Sequence, residues 1–321
     1  MEPGGEPASK QSLATVYGVP WKQREVLKMA YESTLRVTRR CFDAHSHIGS
    51  MAPLKYYGSP VEIDPTVIHY PTYKDMLKHM DHIGVERQMV ISDYGQPVPE
   101  QPFGLNPVVV DACEHDDRFV GAIWTSPLLK MWDQNREAVK HAGDKGVKAL
   151  KITCLLGGTY KVSEWDEDTK KMWEELVDTV EANNLVFHMH TSPAGGSDIS
   201  NLMEFIQAYG KRIRIYVVHM GGGTSGHLKW VPKFLDYVDQ GYKIWGDMTW
   251  SVGFGPRMML TQLQKTGKAW DRMLFASDTP WSDFWAEYYR IEGADISDEL
   301  KDRIFYQNAV DLYDSCGRDK K

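Results

Sequence analysis

The chain has 321 residues, 42% of them hydrophobic and 25% charged, with a formal net charge of -7. That length holds one large α/β barrel or two medium domains. A weakly acidic chain without a basic stripe argues against nucleic acid as the main partner. No run of about 18 apolar residues is present to span a membrane.

Residues 1–20 read as a loosely attached arm, and "WKQREVLKMAYESTLRVTRR" as an amphipathic helix. Together they make an N-terminal extension, residues 1–40, ahead of a main domain over residues 41–321. The arm is acidic and rich in Gly and Pro, unlike a secretory signal. Cys41, Cys113, Cys154 and Cys316 form no C-x-x-C and read as reduced thiols, so the cytoplasm is the expected compartment.

From Cys41 a short apolar strand, a polar loop and a helix recur. The strands are "CFDAHSH", "VERQMVIS", "FVGAIWT", "VKALKIT", "LVFHMH", "IRIYVVH", "KIWGDMT" and "MLFASD". Helical segments such as "YKDMLKHMDHI", "DEDTKKMWEELVDTVEANN" and "GPRMMLTQLQKTG" lie between them. The chain closes with "FWAEYYRIEG" and "SDELKDRIFYQNAVDLY". Strands alternating with helices in this way predict an α/β fold, a (β/α)8 TIM barrel, with an open doubly wound sheet as the alternative. Long connections over residues 48–71 and 94–106 are expected to shape a pocket.

In such a barrel the chemistry gathers at the C-terminal strand ends. Strand 1 ends in His45 and His47, strand 4 carries Lys151, and strand 5 ends in His188 and His190. Strand 6 ends in His219 and strand 8 in Asp278. Imidazole and carboxylate are the ligands of zinc and similar ions. Eleven histidines would give roughly a third of one H-x-H pair by chance. Two occur, both at strand ends. Alternation puts His45 and His47 on one face, with Asp43 deeper on that face. Asp278 has a plainer reading as a helix N-cap.

These motifs resemble the amidohydrolase superfamily. Within it they are similar to the amidohydrolase-2 group that includes the aminocarboxymuconate-semialdehyde decarboxylase type. The resemblance rests on "FDAHSHIG", "GVERQMVIS", "DRFVGAI", "VFHMHTSP", "VVHMGGG", "LFASDTPW" and "NAVDLY", and covers residues 41–314. It implies one divalent ion per chain on His45, His47, His190 and Asp278, with Zn2+ expected ahead of Mn2+, Fe2+ or Co2+. It implies an acid/base role for His219, shared with Asp278. His190 is favoured over His188 as the strand-5 ligand, and His188 and Asp43 are then expected to support the ligands from behind. Lys151 is a substrate contact, a structural ion pair in the barrel or, as in two-metal relatives, a bridging carbamate.

The function implied is a metal-dependent hydrolase that uses an activated water on a small cyclic or aromatic amide or lactone. The alternative is a non-oxidative metal-dependent decarboxylase of an aromatic or enol carboxylic acid. Arg257 and Lys151 are the candidate anion anchors, and Trp124, Trp250 and Trp281 the candidate aromatic wall. Tyr94 is a weaker contact. "HMGGG" reads as an anion-binding nest or as glycines that let the backbone pass close to the site. The expected partners are a small-molecule substrate and a second copy in a homodimer.

Overall fold

The computed structural model describes residues 35–49, 70–92, 102–251 and 253–317. The arm, residues 21–34 of the predicted helix, Tyr94 and most of the two long loops lie outside them, and residues 35–40, the end of that predicted helix, are not helical.

Seven parallel strands pair in sequence order into one sheet. They are β1 (Phe42–Ile48), β2 (Arg87–Ser92), β3 (Phe119–Trp124), β4 (Val147–Ile152), β5 (Val186–His190), β6 (Arg214–Val218) and β7 (Ile244–Gly246). Between them run α1 (Tyr73–Ile83), α2 (Pro102–His115), α3 (Trp132–Ala138), α4 (Glu167–Ala182), α5 (Ile199–Tyr209) and α6 (Gly223–Asp239). After β7 come α7 (Gly255–Thr266), α8 (Phe284–Glu292), α9 (Asp298–Asp302) and α10 (Asn308–Tyr313), with a π-helical turn, Arg303–Gln307, joining the last two.

The helices follow from their patterns. In α4, Met172, Trp173, Leu176, Val177 and Val180 fall on one stripe and are buried. Asp166 caps that helix by accepting from the Thr169 N–H at 2.8 Å. Such stripes meet Leu150, Ile152, Phe187, Met189, Ile215 and Val217 of the sheet in the outer core layer. The opposite strand faces form a second, inner core. There Phe42, Ala44, Met89, Ala122, Ala149 and Tyr216 pack with Leu312 and Tyr313 of α10. The last helix therefore contributes to the core inside the curled sheet.

The predicted eighth strand is not regular. Residues 273–279 still close the ring: the Gly246 N–H donates to Arg272 O at 3.0 Å, and the Ala44 N–H to Phe275 O at 2.9 Å. Two causes break the ladder. The Phe275 N–H turns outward to Ile304 O of the π-helical turn at 2.8 Å. Asp278 then takes a left-handed backbone, φ 54°. The result is a TIM-barrel-like ring of seven strands and one irregular closing segment. No helix among the described residues is long and apolar enough to cross a membrane.

Candidate metal centre

β1 carries its histidines through a local irregularity. Its pairing with β2 shifts by one residue between Asp43 and Ser46. Strict alternation therefore does not run unbroken from Asp43 to His47. Asp43 serves the site through the main chain. It accepts from the N–H of His45 at 3.2 Å and of Ser277 at 2.9 Å, from the Ser277 hydroxyl at 2.5 Å, and from Gln88 at 3.2 Å. One buried carboxylate thus stitches β1 to β2 and to the closing segment. Burial pushes its pKa up to about 7, against the pull of those donors.

His45, His47 and Asp278 converge. The two Nε2 atoms lie 3.3 Å apart, and Asp278 Oδ1 sits 3.0 Å from His45 and 3.1 Å from His47. All three are buried, and among the described residues they form the one group of three or more His, Cys, Asp or Glu that could hold a metal. The His47 Nδ1–H faces Ser92 O at 3.4 Å, which orients Nε2 toward Asp278. Burial and the Lys151 charge lower His45 to about 3, so it is neutral, as a metal ligand must be. Burial works against the Asp278 carboxylate, but the imidazoles around it hold its pKa well below the usual range. Two imidazole nitrogens and one carboxylate on a common point fit a first-row divalent ion.

His190 lines the same cavity, its ring edge-on to His219 at 4.9 Å between centroids. It stands beside the tight cluster, not within it. His188, two residues deeper, is 2.6 Å from the Tyr313 hydroxyl and stacks 6.0 Å from His45. His219 faces Asp278 Oδ2 across 3.9 Å. Behind it, Nδ1 lies 2.6 Å from the Thr249 hydroxyl, which donates to Asp247 at 2.5 Å. Because the hydroxyl proton goes to Asp247, His219 Nδ1 is the donor and Nε2 the free lone pair. Asp247 and Thr249 were missed by sequence reasoning. An acid at the end of "KIWGDMT" is the same signal that flagged Asp278.

His219, Trp250 and Asp278 all have positive φ, at 67°, 56° and 54°. Each costs on the order of 1–3 kcal/mol, and such strain clusters where function over-determines the backbone. In "HMGGG" the amides are used internally: the Gly221 N–H donates to Thr191 Oγ1 at 2.7 Å and the Gly222 N–H to His219 O at 2.8 Å. The glycines permit close passage, since a Cβ on Gly222 would lie 3.0 Å from the Ser192 backbone.

The cavity above the cluster measures about 530 Å³. Trp124, Trp250, Trp281, Leu155, Leu156 and Pro193 supply apolar wall. Lys151 is 1% exposed and lines it too, with Nζ 5.6 Å from the centre of the Trp124 ring. That amine has no hydrogen-bond partner among the described residues, and burial lowers its pKa to about 8. Arg257 does not join this site. It sits exposed near the start of α7, outside the cavity lining, because that helix turns its Pro256, Met259 and Leu260 inward instead.

A parallel, ring-closed α/β sheet with candidate ligands gathered at its C-terminal strand ends defines a TIM-barrel-like architecture. The model of the Amidohydrolase family matches residues 61–315, so the chain belongs to that family. The solved structures similar to the chain include decarboxylases and a probable hydrolase. Among similar solved structures is 2,6-dihydroxybenzoate decarboxylase from Rhizobium, with 16% identity and a TM-score of 0.62, covering 86% of this chain and 99% of that one. Another is dihydroxybenzoic acid decarboxylase from Polaromonas, solved with manganese and 2-nitroresorcinol, at 15%, 0.61, 86% and 97%. A third is a probable 2-pyrone-4,6-dicarboxylic acid hydrolase from Acinetobacter baumannii, at 13%, 0.58, 86% and 99%. At these identities the likeness is one of fold. No curated protein matches the sequence.

Proposed function

We propose that the protein is a divalent-metal-dependent decarboxylase of a small aromatic or enolic carboxylic acid, with His45, His47, His190 and Asp278 holding the ion. The observation that carries the reading is Lys151. A buried ammonium with no hydrogen-bond partner among the described residues, in an aromatic-walled cavity, is costly unless an anionic ligand completes it. An ion bound at the cluster supplies positive charge that polarises a substrate oxygen.

The chain's own groups do the rest. Lys151 Nζ pairs with an acidic oxygen of the substrate, and Trp124, Trp250 and Trp281 flank its flat ring. His219 Nε2 takes the proton of the substrate's phenolic or enolic hydroxyl and returns it to the carbon that loses CO2. The carbon–carbon bond breaks, its electron pair forms the new C–H bond, and CO2 departs. Apolar walls favour this step, since a carboxylate becomes a neutral gas. The dihydroxybenzoate decarboxylases among the similar structures support the reading.

Hydrolysis of a carboxylated lactone or amide is the second reading, and a specific observation favours it. Burial lowers the His219 pKa, so its Nε2 is unprotonated at rest, and a probable 2-pyrone-4,6-dicarboxylic acid hydrolase is among the similar structures. One experiment separates the two. Metal-loaded protein is given hydroxybenzoates and carboxylated pyrones, and both CO2 and ring-opened acid are measured. CO2 from the former supports decarboxylation; acid from the latter without CO2 replaces it with hydrolysis.

A further inference from the structure

Asp278 uses its two oxygens differently. Oδ1 faces His45 and His47, whereas Oδ2 accepts the indole N–H of Trp250. Trp250 is 50% exposed, against 2% for Trp124, so burial does not account for its position. It is held from its other end. The Trp250 backbone N–H points at Glu287 Oε1 at 3.3 Å, and the Ser282 hydroxyl donates to the same oxygen at 2.8 Å. Glu287 is 4% exposed and ion-pairs with Arg290, whose guanidinium donates to Met248 O at 3.1 Å. One carboxylate on α8 therefore fixes the exit of β7 and the turn after Asp278 together.

We propose that Trp250 is a positioning residue that reserves Asp278 Oδ1 for the metal, and that Glu287 sets Trp250 in place. The proposal rests on the reading of His45, His47 and Asp278 as a metal centre. An indole N–H donates and never accepts, so it commits one carboxylate oxygen and leaves the other to the ion. Partners of this kind typically carry about 10- to 100-fold in metal affinity.

The test is Co2+ binding to the full chain, followed by equilibrium dialysis and by the visible absorption of the bound ion. Trp250→Phe is expected to bind Co2+ about 10- to 100-fold more weakly. Its absorption band should also change, because Oδ2 is freed to join the ion. Glu287→Ala should shift both readouts in the same direction. Glu287→Gln, which keeps an acceptor for Trp250 and Ser282, should restore them. Wild-type affinity and spectrum in Trp250→Phe would overturn the positioning role and leave the metal centre standing. A folded wild type that binds no Co2+ overturns the metal centre, and the positioning role with it.

Discussion

The two H-x-H pairs look alike in sequence and differ in structure. On β1 both imidazoles turn to one point, with Nε2 atoms 3.3 Å apart around Asp278. On β5 the pair splits. His190 reaches the cavity, while His188 lies below it, fully buried and 2.6 Å from the Tyr313 hydroxyl. Identical spacing thus gives two ligand-type residues in one case and one cavity residue plus one internal support in the other. Depth along the strand decides the outcome. The β1 pair meets at one point across an irregularity in its pairing with β2, whereas β5 pairs regularly with β4 and β6.

The sharpest way to break the contrast is to remove a rim histidine. His47→Ala should weaken binding of a divalent ion by more than about 100-fold and take turnover to background, read by metal analysis of dialysed protein. Removing the neighbouring base should separate chemistry from binding. His219→Asn is expected to lower turnover by about 10²–10⁴-fold while one ion per chain stays bound. Loss of the ion in that variant would make His219 a ligand.

The rim was legible in the sequence because its residues fall at or just past the ends of apolar runs, although only His45, His47 and His190 lie within strands. His45, His47, His190, His219 and Asp278 all follow from asking what ends each strand. What was not legible depends on departures from regularity. The closing segment reads as a strand in "MLFASD", yet its Phe275 amide is drawn to Ile304 and Asp278 turns left-handed. The Asp43 bonds to Ser277, and the Glu287 clamp on Trp250, join residues far apart in sequence. No local pattern announces such pairs. Arg257 illustrates the converse: a helix-start arginine near a strand end is a reasonable anchor by position, but helix phase leaves it in solvent.

Lys151 offers a prediction in which function and stability move oppositely. Lys151→Met should weaken substrate binding by roughly 10- to 100-fold, the loss of a charged contact of about 1.5–3 kcal/mol. It should also raise the stability of metal-free protein by about 1–3 kcal/mol in urea unfolding, since an unpaired buried amine is removed. The pH sign follows. Burial lowers the folded pKa from 10.5 to about 8, so the ammonium form, and with it anion binding, is lost above about pH 8. Between those two values the unfolded state holds the extra proton, so wild-type stability rises with pH there. The variant should lack that rise. A wild-type pH–KM profile flat through pH 8 would count against the anchor.

The smallest functional effect is expected at the deeper member of the split pair. His188→Phe keeps ring volume but leaves the buried Tyr313 hydroxyl without its partner. Unfolding in urea should show a loss of about 1–3 kcal/mol, the cost of an unsatisfied buried polar group. Metal content and turnover should stay near wild type, because neither the β1 pair nor His190 depends on that hydrogen bond. Loss of the ion in this variant would place His188 among the ligands and erase the contrast between the pairs. Retention of the ion with a weakened fold would show that one H-x-H pair divides its labour between chemistry at the rim and support inside the barrel.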